Sequence, residues 1–143
     1  MSSVSMPRYE FVQHDGKMGM GRIIGDLKER TLRFGEDVLN VVAALPNEPR
    51  GWIIGKQLGR SATSIGANAW EADVALTDAD FAHKMSIARK EASETQYWLE
   101  LACRSGLISR EQRDKLHGEA CELGSVLGTI VRKTQEHLRH PGD

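Results

Sequence analysis

One apolar spacing recurs along the chain. Leu27, Thr31, Phe34, Val38, Val41 and Leu45 step by four and three residues, which places them on one face of an α-helix. Pro46 and Pro49, with Asn47 between them, end that run and predict a turn. A second helix is predicted from about Trp52 to Leu76, with Ile54, Leu58, Ala62, Ile65, Ala69 and Ala72 as its buried stripe. It is rich in small residues, among them Gly59, Ser61, Ser64, Gly66 and Ala67. An interior glycine costs roughly 1 kcal/mol against alanine in an isolated helix. Close approach of a neighbouring helix is the expected compensation. The alternation that marks a strand is absent.

Thr77, followed by Asp78 and Asp80, predicts an N-cap and an acidic first turn for a third helix. Its stripe is Phe81, Met85, Ala88, Ala92, Thr95, Leu99 and Ala102. Gly106 predicts its stop, and Ser109 with Gln112 forms a capping box that starts a fourth helix. Leu116, Ala120, Leu123, Leu127, Ile130 and Thr134 are the fourth stripe, ending near His140-Pro141-Gly142. If the chain folds back between Leu107 and Ile108, level residues on the last two helices have numbers adding to 215. Phe81 then meets Thr134, Met85 meets Ile130, Ala92 meets Leu123 and Leu99 meets Leu116. Several pairs set a large side chain against a small one, as interdigitation requires. The fold expected is all-α, an antiparallel up-down-up-down four-helix bundle.

Residues 1–25 carry Gly16, Gly19, Gly21 and Gly25 without a sustained period and are read as a flexible N-terminal tail. Residues 26–140 form the bundle domain. The 143 residues suffice for one domain, and the formal net charge of −1 gives no basic surplus for nucleic acid. No apolar run approaches the ~20 residues of a membrane span, and no secretory h-region is seen. The compartment expected is the cytoplasm, with no membrane partner.

The segment Gln57-Leu58-Gly59-Arg60-Ser61-Ala62-Thr63-Ser64-Ile65-Gly66-Ala67-Asn68-Ala69-Trp70-Glu71-Ala72 resembles a known family, as does Ile87-Ala88-Arg89-Lys90-Glu91-Ala92-Ser93-Glu94-Thr95-Gln96-Tyr97-Trp98-Leu99. Both are similar to bacterial four-helix-bundle proteins related to those encoded in 23S ribosomal RNA intervening sequences. The resemblance spans roughly Thr31 to Leu138. It implies a left-handed bundle assembled as a homopentameric ring, with no catalytic residues and no cofactor. More distant relatives, the accessory variability proteins of diversity-generating retroelements, are basic pentamers that bind nucleic acid and a reverse transcriptase. The near-neutral charge of this chain departs from that group.

The polar residues divide into a few candidate sets. Folding back near Thr77 makes level residues on helices two and three add to about 154, so Arg60 faces Glu94, with Glu91 on the same face. Arg60, Asn68, Glu71, Glu91 and Glu94 form a structural polar cluster in this reading, with Glu71 beside His83. Trp52, Trp70, Tyr97 and Trp98 are the candidate interface, because aromatics are enriched where subunits meet. Lys84, Arg89, Lys90, Arg132 and Lys133 are the candidate nucleic-acid patch.

Three alternatives fail on spacing. The pairs Asp80/His83 and Asp114/His117 invite a di-iron reading, but the register separates them by about 30 Å. Cys103 and Cys121 stand nine residues out of level, roughly 13 Å and beyond the ~7 Å reach of a disulfide, so both are read as free thiols serving as small apolar side chains. Gly51 to Gln57 echoes a phosphate loop without its strand or its Ser/Thr. The resulting expectation is a non-enzymatic oligomeric adaptor that binds itself and another protein, with RNA or DNA as an additional contact. The alternative is a nucleic-acid-binding module proper.

Overall fold

The computed structural model describes residues 20–142. Four helices follow one another: α1 (Met20–Ala43), α2 (Pro49–Asp73), α3 (Asp78–Arg104) and α4 (Arg110–Arg139). No strand occurs among the described residues. The stripes read from the spacing are the core. Leu27, Phe34, Val38, Ile65, Phe81, Met85, Leu99, Leu123, Leu127 and Ile130 are all buried, and Met85 and Ile130 belong to the same cluster. Burial of each such side chain is worth about 1.5–3 kcal/mol against exposure. Val41 and Leu45, at the end of the first stripe, are only partly covered.

The helix boundaries follow local chemistry. Thr77 accepts a hydrogen bond from the Asp80 N–H, and Ser109 and Gln112 complete the reciprocal capping box. Gly106 takes φ +75°, in the left-handed region that a residue without a Cβ enters freely. The N–H of Leu107 then donates to the carbonyl of Ala102, and that of Gly106 to Cys103, closing α3 with a Schellman motif. Two expectations are corrected. First, α2 starts at Pro49 rather than Trp52 and stops at Asp73, because proline fits a first turn whose N–H groups lack helical partners. Second, α1 begins at Met20, so residues 20–25 are helical rather than part of a tail, and Ile24 is buried. The interleaved glycines hide a residue that continues the apolar stripe of α1. The part of the predicted tail covering residues 1–19 lies outside the described residues.

Contacts between successive helices run in constant register. Between α1 and α2, Thr31 lies against Gly66, Gly35 against Thr63, Leu39 against Gly59 and Val42 against Gly55. The small residues of α2 thus admit the side chains of α1, as their composition predicts. Between α2 and α3, Arg60 pairs with Glu91 and Glu94, Ser61 with Thr95, and Lys84 with Glu71. Between α3 and α4, Glu100 pairs with Arg113, Ala92 meets Gly124, and Arg89 lies over Gly128. The numbers of the last three pairs add to between 213 and 217, around the expected 215. By contrast, α1 touches α4 lightly, and the two are tied by Arg30, which pairs with Glu119 and Glu122.

Candidate functional site

The outer face of the α1–α2 pair carries exposed apolar surface. Leu32 and Leu39 on α1 are each 50% exposed, and Trp70 on α2 is 45% exposed. All three border a groove of about 450 Å³ whose floor is Gly35, Gly66 and Ala67. The local sequence explains its shape. Glycine and alanine on the facing surfaces leave no side chains to fill the space, while the flanking leucines and tryptophan stand as walls. Trp70 is fixed in place: its indole N–H donates to the Lys28 carbonyl at 3.2 Å, and the Lys28 ammonium sits 4.5 Å from the ring centroid. That ammonium also pairs with Asp73 at 2.9 Å. Nearer the α1–α2 turn, Trp52 and Ile53 are exposed, and the Trp52 indole donates to Asn47 Oδ1 at 2.7 Å. An apolar wall held by hydrogen bonds loses little side-chain freedom when another surface covers it.

The polar cluster expected between α2 and α3 is only partly assembled. Arg60 does bridge Glu91, at 3.0 Å, and Glu94. Behind it, the buried hydroxyls of Ser61 and Thr95 share a hydrogen bond of 2.9 Å, and Thr95 also donates to the Glu91 carbonyl. Asn68 and Glu71 stand apart. Asn68 donates to Ser64 within α2, and Glu71 pairs with Lys84 at 3.7 Å rather than with His83. The turn of the helix between His83 and Lys84 decides which one reaches the carboxylate. Of the aromatic set, Tyr97 is exposed, whereas Trp98 is half-buried, donates to Glu94 at 3.0 Å and meets Tyr97 edge to face.

The candidate basic residues do not form one bare patch. Lys84 is engaged by Glu71. Arg89 and Lys90 are exposed and line a second groove between α3 and α4, while Arg132 and Lys133 are exposed further along α4. Cys121 is also exposed in that groove, which corrects its reading as a small apolar side chain. Its Sγ lies 3.5 Å from Nδ1 of His117. The four-residue spacing of the two is visible in the sequence, but register arithmetic weighs only contacts between helices. Both cysteines are free thiols.

The cleft between α1 and α4, about 530 Å³, is of mixed character and holds Arg30, Arg33, Asp37, Lys115, Glu119 and Glu122. Hydrogen bonds from Arg30 to Glu119, and then to Glu122, hold its guanidinium well above its ordinary pKa. On α3, hydrogen bonds from Arg104 and then Arg113 hold the Glu100 carboxyl below its ordinary value, and Glu100 in turn raises Arg113. Ion pairing accounts for each of these displacements. No group of three or more metal-ligating side chains is found among the described residues, and no helix there is long and apolar enough to cross a membrane.

The sequence profile of the 23S rRNA-intervening sequence protein family matches residues 26–129. A solved structure is also similar: a protein with unknown function from the S23 ribosomal protein family of Bacteroides thetaiotaomicron VPI-5482. It is 42% identical with a TM-score of 0.70, and the match covers 74% of this chain and 98% of that one. No curated protein matches the chain.

Proposed function

The chain belongs to the 23S rRNA-intervening sequence protein family, and from that premise we propose that it is a non-enzymatic, self-associating adaptor of the cytoplasm. The observation that carries this reading is the α1–α2 groove, where Leu32, Leu39 and Trp70 present apolar surface around a glycine-lined floor. Exposed apolar surface concentrated in this way marks an interaction site. A second copy of the chain occupies it, closing a homopentameric ring that leaves Tyr97 and the α3–α4 face for another protein. The antiparallel, left-handed, up-down-up-down course is the other part of the proposal. Its support is the register of contacts, in which numbers rise along one helix as they fall along the next.

Sedimentation velocity on the full chain tests self-association. A pentamer at micromolar concentration is expected, and Leu32→Glu with Leu39→Glu should dissociate it. A wild-type monomer would reject the ring. Purification with native partners, followed by nuclease and mass analysis, tests the adaptor role. Recovery of the chain alone under gentle conditions counts against it. A second reading, a nucleic-acid-binding module, draws support from exposed Arg89, Lys90, Arg132 and Lys133. It requires binding at low salt that falls steeply as salt rises.

A further inference from the structure

The end of the bundle at which α1 begins carries a second stretch of uncovered apolar surface. Val74 and Leu76, in the turn between α2 and α3, are 74% and 86% exposed, and Ile23 on α1 and Leu138 on α4 are exposed as well. The helix registers bring the four to one end. Continuing the α1–α2 contacts of Thr31 with Gly66 and Leu39 with Gly59 sets Ile23 level with Val74. The α3–α4 register sets Leu138 level with Thr77, the neighbour of Leu76. Beneath them Ile24, Ala72 and Phe81 are buried. The turn itself is held by the N–H groups of Val74 and Ala75, which donate to the carbonyls of Glu71 and Ala72.

A cover of matching chemistry lies in the same chain. The chain enters α1 at Met20, at this end, and the sequence ahead of it carries Tyr9, Phe11 and Val12, then the turn dipeptide Asp15-Gly16. Four residues lead from Met20 back to Gly16 and four more from Asp15 back to Phe11, so a reversal at Asp15-Gly16 returns Phe11 to the level of Met20. Each arm reaches about 13 Å when extended, and neighbouring helix axes in a bundle lie about 8–10 Å apart. That suffices to cross the bundle end. The α1–α2 groove at Leu32 and Leu39, by contrast, stands roughly 18–28 Å further up α1, beyond a segment that turns back at Gly16.

We propose that residues 9–12 fold back over the end of their own bundle, with Phe11 seated against Val74 and Leu76. Tyr9 and Phe11 share one face of an extended segment, and that face meets the exposed turn. This docking is intramolecular and does not depend on the ring.

The test is photo-cross-linking of the full chain bearing Phe11→p-benzoylphenylalanine, with the products mapped by mass spectrometry. Cross-links should fall on Val74–Leu76 or Leu138, and the product should run as a single chain on denaturing electrophoresis. Val74→Ser with Leu76→Ser should reduce the yield at least fivefold while helix content is unchanged, both side chains being exposed. Independently, Tyr9→Ser with Phe11→Ser should speed hydrogen exchange at the Val74 and Ala75 amides several-fold. Cross-links on Leu32 or Leu39, cross-links between chains, no cross-links at all, or unaltered exchange in the serine variant would each overturn the proposal. A monomer in sedimentation would reject the ring and leave these cross-links in place, so the two readings fail separately.

Discussion

Replacing glycine by alanine at two positions should move stability in opposite directions. Gly51 is buried in the first turn of α2, and a Cβ built there would stand 2.0 Å from the Pro46 carbonyl oxygen and 3.1 Å from its carbon. Comfortable C···O contacts begin at about 3.3 Å, so the turn would have to retreat by roughly 1 Å. That carbonyl already accepts the Glu48 N–H at 2.9 Å, and Pro46 and Pro49 stiffen the chain on both sides. Overpacking of this kind costs about 1–3 kcal/mol, and loss of the turn hydrogen bond adds about 1 kcal/mol. Helix propensity returns at most about 1 kcal/mol. Gly51→Ala should therefore destabilise the protein by about 1–3 kcal/mol, lowering Tm by roughly 4–12 °C. Gly118, in the middle of α4, is exposed, and a Cβ there would meet no neighbouring atom within 4 Å. The propensity gain acts alone at that position, and Gly118→Ala should stabilise by about 0.5–1 kcal/mol. Thermal and urea unfolding followed by circular dichroism, at one fixed protein concentration, measures both. Gly51→Ala unfolding at or above the wild-type temperature would refute the packing argument.

Other substitutions probe the remaining seams. Arg60→Ala and Glu91→Ala, combined in a double-mutant cycle, should give a coupling of only about 0.2–1 kcal/mol, because the Arg60 side chain is 47% exposed. Thr95→Val removes a buried hydroxyl that bonds both Ser61 and the Glu91 carbonyl, and urea unfolding should report a loss of about 1–2 kcal/mol. Glu100 titrates below its ordinary value of 4.5 in the folded protein. Its contribution to stability is complete above that value and is lost as pH falls through the lower, folded value. Glu100→Gln should thus unfold at a lower temperature than wild type at neutral pH, with the difference narrowing in acid.

Much of this architecture is legible in the sequence because short turns make the chain its own ruler. With Thr77 as a pivot, the arithmetic places Arg60 opposite Glu94. With Gly106 as a stop and Ser109 as a start, it aligns α3 with α4. Register arithmetic is silent about helices that no loop joins, so the Arg30 bridge to Glu119 and Glu122 lies beyond its reach. It also errs by one residue at Glu71, since a helix advances 100° per residue and Lys84 takes the place expected of His83. Ile24 escapes for a different reason. It stands three residues before Leu27 and so continues the four-and-three spacing, but Gly19, Gly21 and Gly25 around it read as helix breakers. The Cys121–His117 contact needs only the helical repeat within α4.

The guanidinium between the first and last helices gives the fold a weak side. Each helix packs closely on its successor, whereas α1 and α4 approach less closely, and Phe34 and Leu116 share their cleft with the Arg30 charges that water and salt compete for. Loosening there frees α1 before α3, which packs on both α2 and α4, so amide hydrogens of α1 should exchange with solvent sooner than those of α3, and sooner still in concentrated salt. α1 is in this sense the least enclosed of the four helices, and Arg30 is the charged part of what holds it to α4.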